Sequence, residues 1–220
     1  MSILNSFKNS KHGTVPFRYW EVDGPLTEAM INELYNAELD DPSAHNIEYD
    51  GTRAIDGGDG KLREGIKSGG KALKFRCFID KKNEHLYPEL KKLVNELQKK
   101  ETHEYVGSLI GKDLSNSFVR VEICCDRKGF WLKPHCDIKE KLMSSMLFVN
   151  KYGESEELGT DFYDSNLKKV YTVPYKHNYG YMFTTDENSW HGLEKKEIKN
   201  ERRCLQVNYV TFETDYPVQN

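Results

Sequence analysis

Two periodicities divide this chain. Up to about residue 115, apolar positions mostly recur at helical spacing. Leu26, Met30, Ile31, Leu34 and Tyr35 predict a helix over 25–39, stopped by Asp40-Asp41-Pro42. Leu86, Leu90, Leu93, Val94 and Leu97 predict a second amphipathic helix. It runs into the lysines at 99 and 100, read as a solvated helix end favoured by the helix dipole. A shorter helix over 105–110 follows. Two aromatic and β-branched runs, VPFRYWEV at 15–22 and KFRCFI at 74–79, predict strands. From Asn116 onward the pattern changes to alternation and turns. Strands are expected at 118–125, 130–138, 143–150, 160–163, 169–173, 179–184 and 202–210. The architecture implied is mixed α+β, mainly β. An N-terminal helical layer packs on a C-terminal antiparallel barrel or sandwich. At 220 residues the chain is expected to be one domain, with about 1–115 supporting a core of about 116–214.

The faces of two strands refine this. In 118–125, Val119, Val121 and Ile123 make an apolar face, with Arg120 and Glu122 opposite. In 202–210, Leu205, Val207 and Tyr209 share a face with Arg203, and Arg202, Cys204, Gln206 and Asn208 share the other. A helical layer takes the apolar face, so the polar face is expected to line the cavity. That choice turns Arg202 inward and Arg203 outward.

Composition changes the picture mainly by exclusion. Aromatic residues at 12% suit a β-rich core, and a formal net charge of -3 with interleaved lysines and acids offers no basic patch for nucleic acid or an anionic membrane. No apolar run approaches the roughly 20 residues of a membrane helix. The start MSILNSFKNSKHG does not read as a secretory signal, so a cytoplasmic protein is expected. The five cysteines, Cys77, Cys124, Cys125, Cys136 and Cys204, form no CxxC pair and are read as reduced thiols. Nothing in the pattern specifies an oligomer. The glycine-rich stretch over 50–70 lacks the Gly-Lys-Ser/Thr of a phosphate loop and the acidic spacing of a calcium loop. It is read as a mobile loop, with a lid role open to it beside an active site.

The candidate chemistry centres on FWLKPHCDI, residues 130–138. On a strand, His135 and Asp137 point to one side and Cys136 to the other. A second histidine is available at His191, in Ser-Trp-His-Gly, and Arg202 opens the last strand beyond it. Two imidazoles and one carboxylate with open positions describe a non-haem Fe(II) site. The same set also suits zinc in a hydrolytic site, or a cupin-like barrel that binds metal or a small ligand without oxidation. Neither of those requires a buried cation where Arg202 stands. Arg120, Glu122, Trp131 and Asn208 are candidate substrate contacts.

With His135-x-Asp137, the distal His191 and a basic residue opening the last strand, the stretch from Phe118 to Phe212 resembles the 2-oxoglutarate/Fe(II)-dependent oxygenases, in their prolyl hydroxylase-like branch. The resemblance implies a double-stranded β-helix, the jelly-roll or cupin-like barrel. It implies Fe(II) held by His135, Asp137 and His191, with 2-oxoglutarate and O2 as cosubstrates and ascorbate as a supporting reductant. Arg202 would hold the distal carboxylate of 2-oxoglutarate. Family members often carry a small hydroxyl two places further on, where this chain has Cys204. The carboxylate at Asp137 implies hydroxylation, since family halogenases lack it. The expected reaction is hydroxylation of a small polar metabolite, an amino acid or sugar derivative, with release of succinate and CO2. The alternative is a peptide or protein side chain.

Overall fold

A computed structural model describes residues 2–39 and 73–220. The 50–70 segment, with the lid expected of it, lies outside the described residues. Among the described residues, helices α1 (Ile3–Lys8), α2 (Glu28–Asn36), α3 (Pro88–Gln98) and α4 (Lys100–Ile110) accompany eleven strands. The strands are β1 (Lys11–Gly13), β2 (Tyr19–Asp23), β3 (Lys74–Phe78), β4 (Phe118–Asp126), β5 (Leu132–His135) and β6 (Lys141–Val149), followed by β7 (Thr160–Tyr163), β8 (Lys169–Val173), β9 (Tyr179–Thr184), β10 (His191–Leu193) and β11 (Arg202–Val210).

The strands form two antiparallel sheets. The larger has the order β1-β2-β9-β6-β11-β4-β3, the smaller β5-β10-β7-β8. Alternation along β4, β6 and β11 divides the large sheet's residues between two cores. Val119, Val121, Ile123, Leu147, Leu205 and Val207 pack with Phe7, Leu34, Leu90, Leu93 and Leu97 of the helices. On the other face Cys124, Phe148, Tyr181, Phe183 and Cys204 pack with Phe162, Val173 and Leu193 of the small sheet. Each fully buried Leu or Phe contributes roughly 1.5–3 kcal/mol relative to exposure. The large sheet is therefore held on both faces, and its second face carries the polar rows of the site.

Local chemistry sets the helix ends. Thr27 caps α2 by accepting from the Met30 amide at 3.3 Å. The α3 N-terminus is capped from outside: Glu33 of α2 accepts from the Glu89 and Leu90 amides at 2.7 and 2.8 Å. Lys99 and Lys100 are exposed, as expected of a solvated helix end, but the helical region does not stop with them. Lys99, in extended conformation, joins α3 directly to α4, which begins at Lys100 and is longer than the pattern predicts. Gly111 closes α4 in the left-handed region (φ 72°), donating to the Gly107 carbonyl.

Candidate metal centre

The site begins with a short strand pairing. β10 runs antiparallel to β5 and sets His191 directly opposite His135. Their ring centroids lie 4.3 Å apart. The register can close this tightly because Gly192 follows His191: a Cβ there would stand 2.6 Å from the Leu132 carbonyl oxygen and 3.0 Å from that of Lys133. Gly192→Ala is expected to part the two strands at the histidine pair. Since a misplacement of about 1 Å can cost about a hundredfold, metal affinity should fall at least about tenfold, read by metal titration on a variant whose unfolding stays cooperative.

Asp137 lies beyond the end of β5, which stops at His135, so strand alternation is not what aims it. Two residues of β6 do. Lys141 Nζ donates to Asp137 Oδ1 and Ser144 Oγ to Oδ2, both at 2.6 Å. Burial alone would raise the Asp137 pKa, but Lys141 beside it, through its charge and its hydrogen bond, holds the carboxyl well below the usual carboxylate range. Each imidazole is fixed from behind. His135 Nδ1 donates to the Lys133 carbonyl and His191 Nδ1 to the Ser189 carbonyl, each at 2.9 Å. A carbonyl only accepts, so Nδ1 carries the proton in these bonds and Nε2 of the neutral ring keeps its lone pair.

One donor atom from each of His135, Asp137 and His191 lies within 4.8 Å of the others. His191 Nε2 stands 3.9 Å from Asp137 Oδ2. Two neutral imidazoles and one ionised carboxylate, each braced by a second partner, fit a divalent first-row metal. Cys136 touches the same cavity, but its Sγ donates to the Glu187 carbonyl at 3.3 Å. Burial and the nearby carboxylates of Asp186, Asp137 and Glu187 push its thiol up to about 11, so it stays protonated and a poor ligand.

The triad opens into a cavity of about 230 Å³. Arg202 lines it, almost wholly buried (3%). Its Nη1 pairs with Asp126 at 2.6 Å, Nε donates to the Leu158 carbonyl, and Nη2 reaches Thr160 Oγ1 and Met146 Sδ at 3.4 Å. Lys74 pairs with the same Asp126 at 3.2 Å. Two cations therefore share one buried carboxylate at this end. Arg203 faces the other way. It pairs with Glu201 at 2.9 Å and donates to the Leu34 and Ala37 carbonyls at the end of α2.

Of the candidate substrate contacts, Arg120 lines the cavity, while Glu122, Trp131 and Asn208 do not. Glu122 is fully buried, bound by Arg76 through both oxygens and by Arg120 at 3.3 Å. Burial works against its charge, but Arg76 and then Arg120 bring its pKa down to about 2. Asn208 stands behind the triad: its Nδ2 donates to Ser144 Oγ at 2.9 Å, and Ser144 in turn holds Asp137. Lys74, Arg76, Lys141, Ser144 and Thr160 are site residues that pattern reading missed. The signal for Lys74 and Arg76 is their alternation on β3, the neighbour of β4.

No family model matches the chain, and no curated protein matches it in sequence. Solved structures do match in fold. A Pseudomonas putida prolyl-4-hydroxylase superimposes with a TM-score of 0.56 at 11% identity, over 96% of this chain and 98% of that one. A Trichoplax adhaerens prolyl hydroxylase in complex with a hypoxia inducible factor peptide fragment gives 0.54 at 14% identity, over 95% and 87%. Prolyl 4-hydroxylase from Phytophthora capsici gives 0.54 at 14% identity, over 90% and 60%. These similarities establish a shared fold.

Proposed function

We propose that this protein is an Fe(II)- and 2-oxoglutarate-dependent dioxygenase that hydroxylates a small polar metabolite. The observation that carries this reading is the coincidence of a braced His135–Asp137–His191 triad with a buried cation, Arg202, in one cavity. Its two sheets are read as the halves of a double-stranded β-helix, in one domain spanning 1–220. No described helix is long and apolar enough to cross a membrane. The cytoplasmic placement rests on the composition and the five free thiols.

Iron bound by the triad, with 2-oxoglutarate and O2, would supply the oxidising chemistry of the reaction. The chain's own residues bind and orient. Ser189 and Lys133 carbonyls set the imidazole tautomers; Ser144 and Lys141 aim Asp137 and keep it ionised. Asn208 holds Ser144 in place. Arg202, with Thr160 beside its Nη2, receives the distal carboxylate of 2-oxoglutarate, a role that favours a permanently charged planar donor. A volume of about 230 Å³ lies below the roughly 300–1,000 Å³ of pockets for drug-sized ligands. Beside the cosubstrate it has space for little more than the reacting end of a substrate. The peptide-bound neighbour motivates a second reading, a peptide or protein side chain entering the same cavity.

The test is spectroscopic. Adding 2-oxoglutarate anaerobically to Fe(II)-loaded protein should produce the weak visible charge-transfer band of chelated iron. Absence of the band, alongside tight zinc binding, would favour a hydrolytic or non-oxidative site. Screening small polar compounds for stimulated succinate release then identifies the substrate.

A further inference from the structure

One cross-strand row closes the Arg202 end of the cavity. Lys74 of β3 is paired with Asp126 of β4, and Asp126 with Arg202 of β11. Neighbouring strands lie about 4.8 Å apart, so the three side chains stand side by side on one face of the sheet. Asp126 is fully buried between the two cations. Lys74 Nζ meets its Oδ1 at 3.2 Å, and Arg202 Nη1 meets its Oδ2 at 2.6 Å. Lys74 and Arg202 both line the cavity, whereas Asp126 does not.

Arg202 does not present an unencumbered fork. Besides Nη1, its Nε is engaged by the Leu158 carbonyl. Nη2, with two long contacts at 3.4 Å to Met146 Sδ and Thr160 Oγ1, is the nitrogen left most available. Paired with Asp126 alone, Arg202 would also be electrically neutral. Lys74 changes both conditions. Among the described residues its ammonium has one hydrogen-bond partner, Asp126, and a lysine carries three donors. The Phe130 ring, itself part of the cavity wall, lies 5.3 Å from Nζ and steadies the ammonium without engaging a donor. Burial opposes the charge, but Asp126 raises the pKa above the ordinary lysine value, so Lys74 stays protonated at neutral pH. The row therefore carries one net positive charge, and that charge depends on Lys74.

Building on the oxygenase reading, we infer that Lys74 is a second cosubstrate-binding residue. The distal carboxylate of 2-oxoglutarate docks against Lys74 and Arg202 together, with Asp126 as the fixed counterion that spaces them. The pairing makes the site selective for 2-oxo acids that end in a carboxylate. An alkyl end would shield the row from water and leave its net charge without an anion.

The experiment titrates 2-oxoglutarate and 2-oxobutyrate, separately and to saturation, into anaerobic Fe(II)-loaded protein, with the charge-transfer band as the readout. 2-Oxobutyrate presents the same chelating end without a distal carboxylate. Lys74→Met should weaken 2-oxoglutarate binding about tenfold or more, the range of one charge-assisted contact, while 2-oxobutyrate affinity and iron content stay unchanged. Lys74→Arg should recover part of the loss, because it restores the charge. Lys74→Gln keeps a donor for Asp126 without the charge, and it gives the same reading should the methionine variant not fold. Undiminished 2-oxoglutarate affinity in the uncharged variants, or an equal loss for both acids, would overturn the inference. The second of these results would assign Lys74 a purely structural role. The wild-type band keeps the two proposals distinguishable. Its absence with 2-oxoglutarate defeats the oxygenase reading and this inference with it, whereas its presence with an affinity indifferent to Lys74 defeats only the second cation.

Discussion

His135→Ala, Asp137→Ala and His191→Ala are each expected to abolish 2-oxoglutarate turnover while leaving the protein folded. Each variant deletes one of three donors. Loss of a residue that merely orients a ligand typically costs 10- to 100-fold in metal affinity or activity, so loss of a ligand must cost more. The three sites differ in their effect on the fold. His135 ends a short strand, and its removal takes away one backbone-directed bond. Asp137 is paired to Lys141, whose side chain is only 12% exposed, so its loss leaves a largely buried cation without that partner. Asp137→Asn keeps the shape and an acceptor for Lys141 and is the cleaner test. Succinate release reports turnover, iron content reports binding, and circular dichroism with thermal unfolding reports the fold. Ser144→Ala should fall between these variants and wild type, because it releases Asp137 Oδ2 without removing a ligand. Wild-type turnover in all three ligand variants would place the active site elsewhere.

Much of this arrangement is legible in the sequence because period-2 alternation decides what faces what. Val119, Val121 and Ile123 against Arg120 and Glu122 divide β4 between helices and cavity, and β11 repeats the division. The segments 160–163, 169–173 and 179–184 fold as the strands their pattern predicts. The failures are equally physical. β1 and β10 have three residues each, too few for a period to register. Asp137 reaches the triad through bonds from β6, not through the alternation that suggests it, since β5 has already ended. The cavity cations on β3 share partners with β4, and a one-dimensional pattern carries no information about which strands become neighbours. Sequence reading also places Glu122 in contact with substrate, whereas two arginines bury it as their common counterion. Local propensity identifies elements; the pairing of charges requires the register.

The adjacent arginines of β11 give the sharpest separation of roles. Arg202→Gln is expected to raise the 2-oxoglutarate requirement ten- to a hundredfold, with iron binding little changed. A charge-assisted contact of this kind contributes roughly 1.5–3 kcal/mol. Glutamine limits the side effect, since Asp126 retains Lys74 at 3.2 Å and an amide can still donate toward it. Arg203→Gln should leave the 2-oxoglutarate requirement unchanged and destabilise the fold instead. Arg203 ties the end of α2 to the sheet through the Leu34 and Ala37 carbonyls and neutralises the buried Glu201. Breaking one partner of a buried pair costs about 3–5 kcal/mol. Arg127, 3.1 Å from Glu201, offsets part of that, so the lower end is expected. For a chain of this size each kcal/mol lowers Tm by roughly 2–4 °C. Titrating 2-oxoglutarate against the charge-transfer band and measuring Tm on both variants separates the two effects. Should Arg203→Gln instead weaken 2-oxoglutarate binding while Arg202→Gln leaves it intact, the cosubstrate pocket would have to be sought on the helical face of the sheet, because a shift of one residue reverses every side chain along the strand.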